Sequence, residues 1–151
     1  MLTTEEFQKL KSKALRLLAK RDHSRLELKR KLSAKSSLDQ EAFNELVELL
    51  KNLGYMADEK DLASRWVKQW RSEGRGRLWI SGKLREKGLP EPDLKDDDEE
   101  LETARLFLDK RLRGKSITTL GFNEKMKLGR SMTSRGFSTS TVATVLKRWT
   151  E

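Results

Sequence analysis

Apolar residues recur at helical spacing along most of the chain. Ala14, Leu15 and Leu18 form one apolar stripe, and Leu28 and Leu32 form the next. Residues four apart lie on one face of an α-helix, so each stripe predicts a helix with one buried side. Comparable stripes follow within residues 43–50, 62–70, 80–84, 104–112, 126–132 and 142–149. This pattern predicts an all-α protein.

A short phrase occurs three times and divides these helices into groups. In each copy a central Leu or Met follows another apolar residue by four positions. The copies are residues 30–36, 82–88 and 130–136, and they begin 52 and then 48 residues apart. Repeats of this length stack small helical units side by side. We therefore predict three tandem three-helix units, residues 1–57, 58–102 and 103–151, arranged as an elongated, curved molecule.

Polar and glycine residues predict several helix ends. Ser24 and Glu27 have the spacing of a capping box, in which each side chain accepts a hydrogen bond from the other residue's backbone N–H. Gly54, Gly88 and Gly136 follow apolar stripes, where a left-handed glycine ends a helix. These residues predict a helix that starts at about residue 24 and three helices that stop at glycine.

The second unit has a less certain third helix. The segment Leu89-Pro90-Glu91-Pro92-Asp93 predicts its start, because proline suits a first helical turn and Asp93 can cap it. The acidic run from Asp96 to Glu100 fits either that helix or a loop between units. Adjacent carboxylates on a helix point in different directions, so we interpret the run as a solvated face and not as a metal site.

Composition limits the kind of protein. Apolar residues form 35% of the chain and charged residues 38%, and there is no cysteine. These values favour small helical units and exclude a disulfide framework or thiol catalysis. Without a signal peptide or an apolar run of about 20 residues, we expect a soluble cytoplasmic protein.

The charge is positive and unevenly distributed. The net charge is +9 in total, and residues 103–151 carry 11 basic and 3 acidic side chains. A positive field speeds encounter with polyanions, which are nucleic acids or acidic protein surfaces. Charge alone does not distinguish these two partners.

The sequence gives no support for catalysis. Gly114-Lys115-Ser116 ends like a phosphate-binding loop, but Asp109 occupies the position of the required upstream glycine. His23 is the single histidine, so a histidine metal site or a catalytic triad lacks its other members. We expect His23 to be solvated or to cap a helix. We predict no enzyme activity, no catalytic or metal-binding residues and no cofactor.

The four tryptophans are interpreted mainly as packing residues. Trp66, Trp70 and Trp149 lie on apolar helical faces, which predicts core positions. Trp79 stands among cations, and its alternative role is to stack on single-stranded bases. We favour packing for Trp79 as well.

Basic residues accompany the repeated phrase in all three units. They lie away from the apolar stripe, so they form either a binding surface or ordinary solvated faces. Arginines beside the Gly74–Gly76 turn suit bidentate binding of phosphate or carboxylate, and we expect them to be the central anchors. The candidate partner- or DNA-binding residues are Arg25, Lys29, Arg30, Arg75, Arg77, Lys83, Arg85, Lys127 and Arg130.

Several of these motifs together resemble a known family. The sequence resembles the RecX family, the bacterial regulators of the RecA recombinase, across roughly residues 12–149. The resemblance is carried by Ala14-Leu15, Leu18-Ala19, Arg21-Asp22-His23-Ser24, Glu27-Leu28, Lys31-Leu32, Leu53 to Asp58, Leu62-Ala63, Gly76, Ile80, Leu84 and Lys87-Gly88. It implies a non-enzymatic inhibitor that lies along the groove of the RecA–single-stranded DNA filament.

The resemblance also implies partners and effects. Such a protein damps the filament's ATPase, strand exchange and support of repressor self-cleavage, and so acts in DNA repair, recombination and the SOS response. Its expected partners are the RecA filament and the single-stranded DNA within it, with naked DNA left open. We expect a monomer with no membrane partner and no small-molecule substrate. The alternative from the residues alone is a sequence-independent DNA-binding protein that acts without RecA.

Overall fold

All regular secondary structure in the described part of the protein is helical. The computed structural model describes residues 3–34 and 37–148, which contain no strand and confirm the all-α prediction. The predicted core residue Trp149 lies outside the described residues. The helices are α1 (Thr4–Lys20), α2 (Arg25–Leu32), α3 (Gln40–Asn52), α4 (Glu59–Ser72), α5 (Arg77–Lys87), α6 (Asp97–Leu112), a 3₁₀ helix (Ile117–Thr119), α7 (Phe122–Ser134) and α8 (Thr139–Arg148).

The chain packs into two compact units that are not continuous in sequence. Unit 1 comprises Met1–Ala63 and Arg85–Pro90, and unit 2 comprises Ser64–Leu84 and Glu91–Glu151. Helices α4 and α5 therefore each contribute residues to both units. Helix α6 continues without interruption past position 102, where the repeat pattern places a boundary. The division of the sequence into three repeats stays a prediction.

Unit 1 has its core between α1, α2 and α3. As predicted, Ser24 and Glu27 form a capping box at the start of α2, and Gly54 follows α3 with a φ of +82°. Helix α1 begins with a second box formed by Thr3 and Glu6. The buried apolar cluster comprises Ala14, Leu28, Leu32, Phe43, Leu46, Val47, Leu50 and Met56.

The end of α5 is built into unit 1. The Ser24 hydroxyl donates a hydrogen bond to the Lys87 carbonyl, and the Lys87 ammonium lies 3.1 Å from the Glu27 carboxylate. Gly88 has a φ of +66°, and a Cβ there would lie 2.8 Å from the Leu26 side chain. This position therefore needs glycine both for its backbone conformation and for its close approach to α2.

Unit 2 has its core between α6, α7 and α8. As the repeated phrase predicts, Met132 is fully buried, and so is Phe137 just after the turn at Gly136. Side chains of all three helices and the 3₁₀ helix fill this core. They are Ala104, Leu108, Leu112, Ile117, Met132, Phe137, Val142 and Val145.

Two turns of unit 2 touch through their backbones, and we call this contact the glycine junction. It joins residues 74–78, between α4 and α5, to residues 135–137, between α7 and α8. The N–H of Gly76 donates to the Arg135 carbonyl over 2.9 Å, and the N–H of Leu78 donates to the Gly136 carbonyl over 3.0 Å. A Cβ on Gly76 would lie 2.5 Å from the Gly136 oxygen and the Phe137 nitrogen. The contact therefore requires a residue without a side chain.

The predicted helix that starts at residues 89–93 is wrong. This segment is not helical in the structure, because the helix that follows is capped by Asp96 and not by Asp93. The Asp93 carboxylate accepts a hydrogen bond from the Lys95 N–H in a local turn. Asp96 then caps α6, and Asp97 to Glu100 form the first turn of that helix.

Candidate functional site

Two candidate cations of unit 1 are used to hold that unit together. The Arg25 guanidinium lies 5.3 Å from the Phe43 ring centroid and donates a hydrogen bond to the Asn44 side-chain oxygen. The Arg30 Nη1 donates to the Glu86 carbonyl over 2.9 Å. These contacts orient both guanidinium groups within unit 1, so neither is an unengaged surface charge.

The other two candidates in unit 1 remain open to a partner. Lys29 on α2 and Arg85 on α5 are exposed, and neither side chain has a partner within residues 3–34 and 37–148. An exposed cation without a carboxylate partner keeps its full charge for an external anion. Lys29 and Arg85 therefore fit the predicted contact role.

The candidates of unit 2 also divide into engaged and open residues. The Arg77 Nη1 lies 3.1 Å from the Asp97 carboxylate, and the Lys83 ammonium lies 5.6 Å from the Trp79 ring centroid. Lys127 and Arg130 on α7 are exposed and have no side-chain partner in the described part of the chain. Lys127 and Arg130 are therefore the open cations of α7.

Arg75 is held by an aromatic stack. Its guanidinium lies 4.4 Å from the centroid of the Trp79 ring. The Trp79 ring meets Trp70 edge to face at 5.4 Å, and Trp70 stacks on Trp66 at 5.2 Å. Cation–π contact of this kind fixes a guanidinium without consuming its hydrogen-bond donors. The packing interpretation of Trp66, Trp70 and Trp79 is confirmed.

Two arginines outside the nine candidates lie close to Arg75. The Arg135 Nε donates to the Gly74 carbonyl over 3.4 Å, and its Nη2 donates to the Glu73 carbonyl. The guanidinium groups of Arg111 and Arg135 lie 5.6 and 5.7 Å from the centroid of the Phe107 ring. Sequence spacing did not indicate this grouping, because Arg75, Arg111 and Arg135 come from three separate segments.

Burial and neighbouring charges shift the pKa of the Arg135 guanidinium. Burial lowers the pKa of the Arg135 guanidinium from its usual value, and the positive charges of Arg75 and Arg111 lower it further. The Glu73 carboxylate opposes this shift but does not outweigh it. The lowered pKa therefore reflects burial first, and then the positive charges of Arg75 and Arg111.

A buried ion pair holds the start of α5 against α6. The Arg71 Nη1 donates to the Glu100 Oε2 over 2.9 Å, and the Glu100 Oε1 accepts from the Arg77 N–H over 2.9 Å. Glu100 is fully buried, so its interpretation as part of a solvated acidic face is wrong. Its carboxylate sits at the positive end of the α5 dipole, where a negative charge is stabilising.

His23 is buried, so the prediction of a solvated or capping histidine is wrong. It is 4% exposed. Its Nδ1 lies 2.9 Å from the Arg21 carbonyl and its Nε2 lies 2.8 Å from the Lys31 ammonium. These partners assign the proton to Nδ1 and make Nε2 an acceptor. Burial, and then the charges of Arg21 and Lys31, lower the pKa of His23, although its hydrogen bond to Arg21 opposes the shift.

Glu27 links three parts of unit 1. Its carboxylate lies 2.7 Å from the Arg21 guanidinium and 3.1 Å from the Lys87 ammonium, and it accepts from the Ser24 N–H. Burial alone would raise the pKa of Glu27, but these three donors outweigh it and lower the pKa to about 2. Glu27 therefore stays ionised at neutral pH and ties α2 to the end of α5.

The groove between α7 and α8 has no acidic or histidine side chain in its lining. Its volume is about 570 Å³, and its lining includes Met126, Gly129, Val142 and Leu146. Within residues 3–34 and 37–148, no three histidine or acidic side chains are grouped to hold a metal ion. None of the helices described there has both the length and the apolar character needed to cross a membrane.

Comparison with known proteins gives consistent matches along the chain. Residues 97–146 match the family model described as RecX, third three-helix domain. The chain is 32% identical to the regulatory protein RecX of Leptothrix cholodnii over 140 residues, which cover 91% of this chain and 87% of that protein. It is 31% identical to the regulatory protein RecX of Chlorobaculum tepidum over 137 residues, covering 89% and 84%.

Solved structures share the fold. The crystal structure of RecX from Lactobacillus salivarius superposes with a TM-score of 0.74 at 20% identity, covering 97% of this chain and 98% of that chain. A second crystal structure, of a regulatory protein RecX, has a TM-score of 0.66 at 21% identity and covers 98% and 80%. At these identities the structural matches establish the all-α architecture, while the sequence matches establish the family.

Proposed function

Because the chain belongs to the RecX family of regulatory proteins, we propose that it inhibits the RecA recombinase by binding along the groove of the RecA–single-stranded DNA filament. Bound there, it damps the filament's ATPase, strand exchange and support of repressor self-cleavage. The observation that carries the proposal is a relationship of 32% identity over 91% of the chain. We place the protein in the cytoplasm as a monomer that acts in DNA repair, recombination and the SOS response.

The open cations support a contact with a polyanionic filament. Four of them, in the three predicted repeats, are exposed and have no side-chain partner in the described part of the chain. They are Lys29, Arg85, Lys127 and Arg130. Weak contacts from several repeats add up when they bind one partner together, because each later contact forms at a high effective concentration.

Occupation of the groove explains inhibition without catalysis. A protein that lies in the groove blocks the approach of duplex DNA, so strand exchange falls. The excess of positive charge, +9 in total, accelerates encounter with the DNA phosphates of the filament. This mechanism uses only binding energy and needs no cofactor.

The test is RecA's DNA-dependent ATPase rate, measured with increasing amounts of this protein on pre-formed filaments. We expect the rate to fall, and the doubly reversed variant Arg130→Glu/Lys127→Glu to inhibit less at equal concentration. A matched double variant at exposed lysines outside the nine candidates, Lys51→Glu/Lys9→Glu, changes the net charge equally and is expected to inhibit like the wild type. No inhibition at a several-fold molar excess of wild-type protein over RecA would refute the proposal.

A second candidate function is sequence-independent DNA binding without RecA. The same open cations favour it, since phosphate contacts need no base recognition. It predicts tight binding to naked DNA that weakens steeply with salt. Binding to the filament together with weak binding to naked DNA would reject this candidate and leave RecA regulation in place.

A further inference from the structure

Three arginines of unit 2 lie in one region, and we call them the arginine cluster: Arg75, whose guanidinium lies over the Trp79 ring, and Arg111 and Arg135, whose guanidinium groups lie over the Phe107 ring. Arg111 and Arg135 both lie within 6 Å of the Phe107 centroid, at 5.6 and 5.7 Å. Arg135 bonds to the carbonyls of Glu73 and Gly74, which directly precede Arg75. Helix α6, the α4–α5 turn and the end of α7 thus each supply one arginine.

The arginine cluster has no carboxylate partner of its own. None of its members forms a salt bridge within the described residues. The nearest acid, Glu73, accepts a hydrogen bond from the Gln69 amide instead. Like charges in one place repel, and the Glu73 carboxylate offsets this repulsion at Arg135 only in part.

Most donors of the arginine cluster remain available. Arg75 is fixed by its stack on Trp79 and donates no side-chain hydrogen bond within the described residues. Arg111 donates from Nη2 to the Ser131 hydroxyl over 2.8 Å and is otherwise exposed. Each guanidinium carries five N–H groups; the Arg75 Nε is buried without a partner, so the donors left for a ligand are on the Nη atoms of Arg75 and on the part of Arg111 that does not bond to Ser131.

The fold brings these like charges together through a rigid contact. In the glycine junction, Gly76 and Gly136 pack backbone to backbone, which places Arg75 and Arg135 side by side. Gly74 contributes to the same site, because a Cβ there would lie 3.3 Å from Phe107 and 3.5 Å from the Arg135 Nη2. Two glycine turns thus create a concentration of charge that folding alone does not require.

The chemistry of the site favours phosphate groups over bases. The Trp79 ring is covered by Arg75, and Phe107 lies beside two arginines, so neither ring is free to act as a stacking platform. Guanidinium groups match the paired oxygens of a phosphate with parallel N–H···O bonds. A chain of phosphodiesters also supplies several negative charges in a row, which is what three adjacent cations need.

We propose that the arginine cluster binds the phosphodiester backbone of single-stranded DNA without sequence preference. The inference rests on the proposed function in one respect: the proposed function identifies the DNA as the single strand within the RecA filament. Arg111 and Arg135 extend the binding surface beyond the nine cations that the sequence indicates. Arg77, which pairs with Asp97, is not part of this site.

The direct test is fluorescence anisotropy of labelled oligo-dT with the full-length protein, from about 50 to about 200 mM salt. Arg111→Glu is the main variant, because Arg111 is exposed and its loss leaves the buried core intact. We expect binding to weaken about tenfold or more, and the slope of log K against log salt to fall by about 0.7 for each lost phosphate contact. The matched control is Lys110→Glu on the same helix, where we expect less than about a twofold change.

A second variant protects the test against loss of folding. Arg135→Gln removes the charge but keeps an amide nitrogen at the chain position of the Nε, which donates to the Gly74 carbonyl, and we expect it to weaken binding as Arg111→Glu does. Equal effects of Lys110→Glu and Arg111→Glu would overturn the site, and so would stronger binding to polyglutamate than to oligo-dT of the same length. Competition by free phosphate at millimolar concentration would reassign the site to small anions.

The inference and the proposed function can fail separately. Wild-type protein that inhibits the RecA ATPase but does not bind oligo-dT would refute the arginine cluster and leave RecA regulation standing. Binding to oligo-dT that Arg111→Glu abolishes, without any effect of wild-type protein on RecA, would refute RecA regulation and leave the cluster as a DNA site.

Discussion

Gly76 provides the sharpest test of how unit 2 is assembled. A Cβ added at this position would lie 2.5 Å from both the Gly136 oxygen and the Phe137 nitrogen. Both atoms belong to the backbone, so no side-chain rotation relieves the clash. Gly76→Ala must therefore push apart the two turns of the glycine junction.

The expected loss in the free energy of unfolding follows from the contacts that this separation breaks. The junction contains two backbone hydrogen bonds, at 2.9 and 3.0 Å, each worth about 0.5–1.5 kcal/mol. Overpacking of a tight contact adds about 1–3 kcal/mol. We therefore expect Gly76→Ala to lower the free energy of unfolding of unit 2 by about 3–5 kcal/mol, a large part of the stability of a typical domain.

The assay is urea unfolding followed by tryptophan fluorescence. The three tryptophans that the structure describes, Trp66, Trp70 and Trp79, belong to unit 2, so their fluorescence reports the unfolding of that unit. The matched control is Gly82→Ala in α5, where a Cβ meets nothing within 4 Å and alanine favours the helix by up to about 1 kcal/mol. Equal unfolding midpoints for Gly76→Ala and the wild type would show that the backbone contact in the glycine junction does not hold unit 2 together.

Three further predictions concern buried charges. Glu100→Ala leaves the buried Arg71 guanidinium with the half-exposed Glu99, 3.3 Å away, as its remaining carboxylate, so the cost in urea unfolding should be at the lower end of about 3–5 kcal/mol. The double variant Arg71→Met/Glu100→Leu should recover most of this loss, and no recovery would contradict the ion-pair explanation. The pKa of His23 is lowered in the folded protein, so below about pH 6.5 the unfolded chain binds a proton more readily than the folded chain does, and unit 1 should lose stability as the pH falls. His23→Gln should make the melting temperature, followed by circular dichroism, depend less on pH. An unchanged pH dependence would contradict the role of His23. The pKa of Glu27 is about 2, so its contribution to the free energy of unfolding is complete above about pH 4.5 and is lost as the pH falls towards 2. The Glu27→Gln variant should not show this loss of stability in an acid titration. A titration curve identical to that of the wild type would exclude Glu27 as the source of the loss.

Local structure was predictable where neighbours in sequence determine it. The capping box of Ser24 and Glu27 needs only residues three apart, and Asp58 caps α4 by accepting from the Lys60 N–H over 2.9 Å. The helix predicted at residues 89–93 failed because Asp93 and Asp96 compete for the same role, and the sequence shows no preference between them. The structure places the cap at Asp96.

Long-range burial was not predictable from one sequence. His23 and Glu100 look like surface residues, because a charged side chain is buried only when partners distant in sequence satisfy it. Arg71, the partner of Glu100, lies 29 residues away. Local patterns give no information about such pairs.

The candidate binding residues also have some properties that the sequence predicts and others that depend on tertiary packing. Exposure of Lys29, Arg85, Lys127 and Arg130 follows from their place opposite the apolar stripe, so helical periodicity predicts that exposure, while their contact role stays a prediction. The grouping of Arg111 with Arg75 depends on the packing of α6 near the α4–α5 turn, which periodicity does not encode.

The insertion of the end of α5 into unit 1 has a consequence for the order in which the protein forms. Residues 85–90 complete unit 1 through Lys87 and Gly88, yet they are synthesised after residues 64–84, which belong to unit 2. A nascent chain that ends at residue 63 therefore has all three helices of unit 1 but not the segment that closes it. The amino-terminal unit gains its full set of contacts only after residue 90 has been synthesised and has left the ribosome.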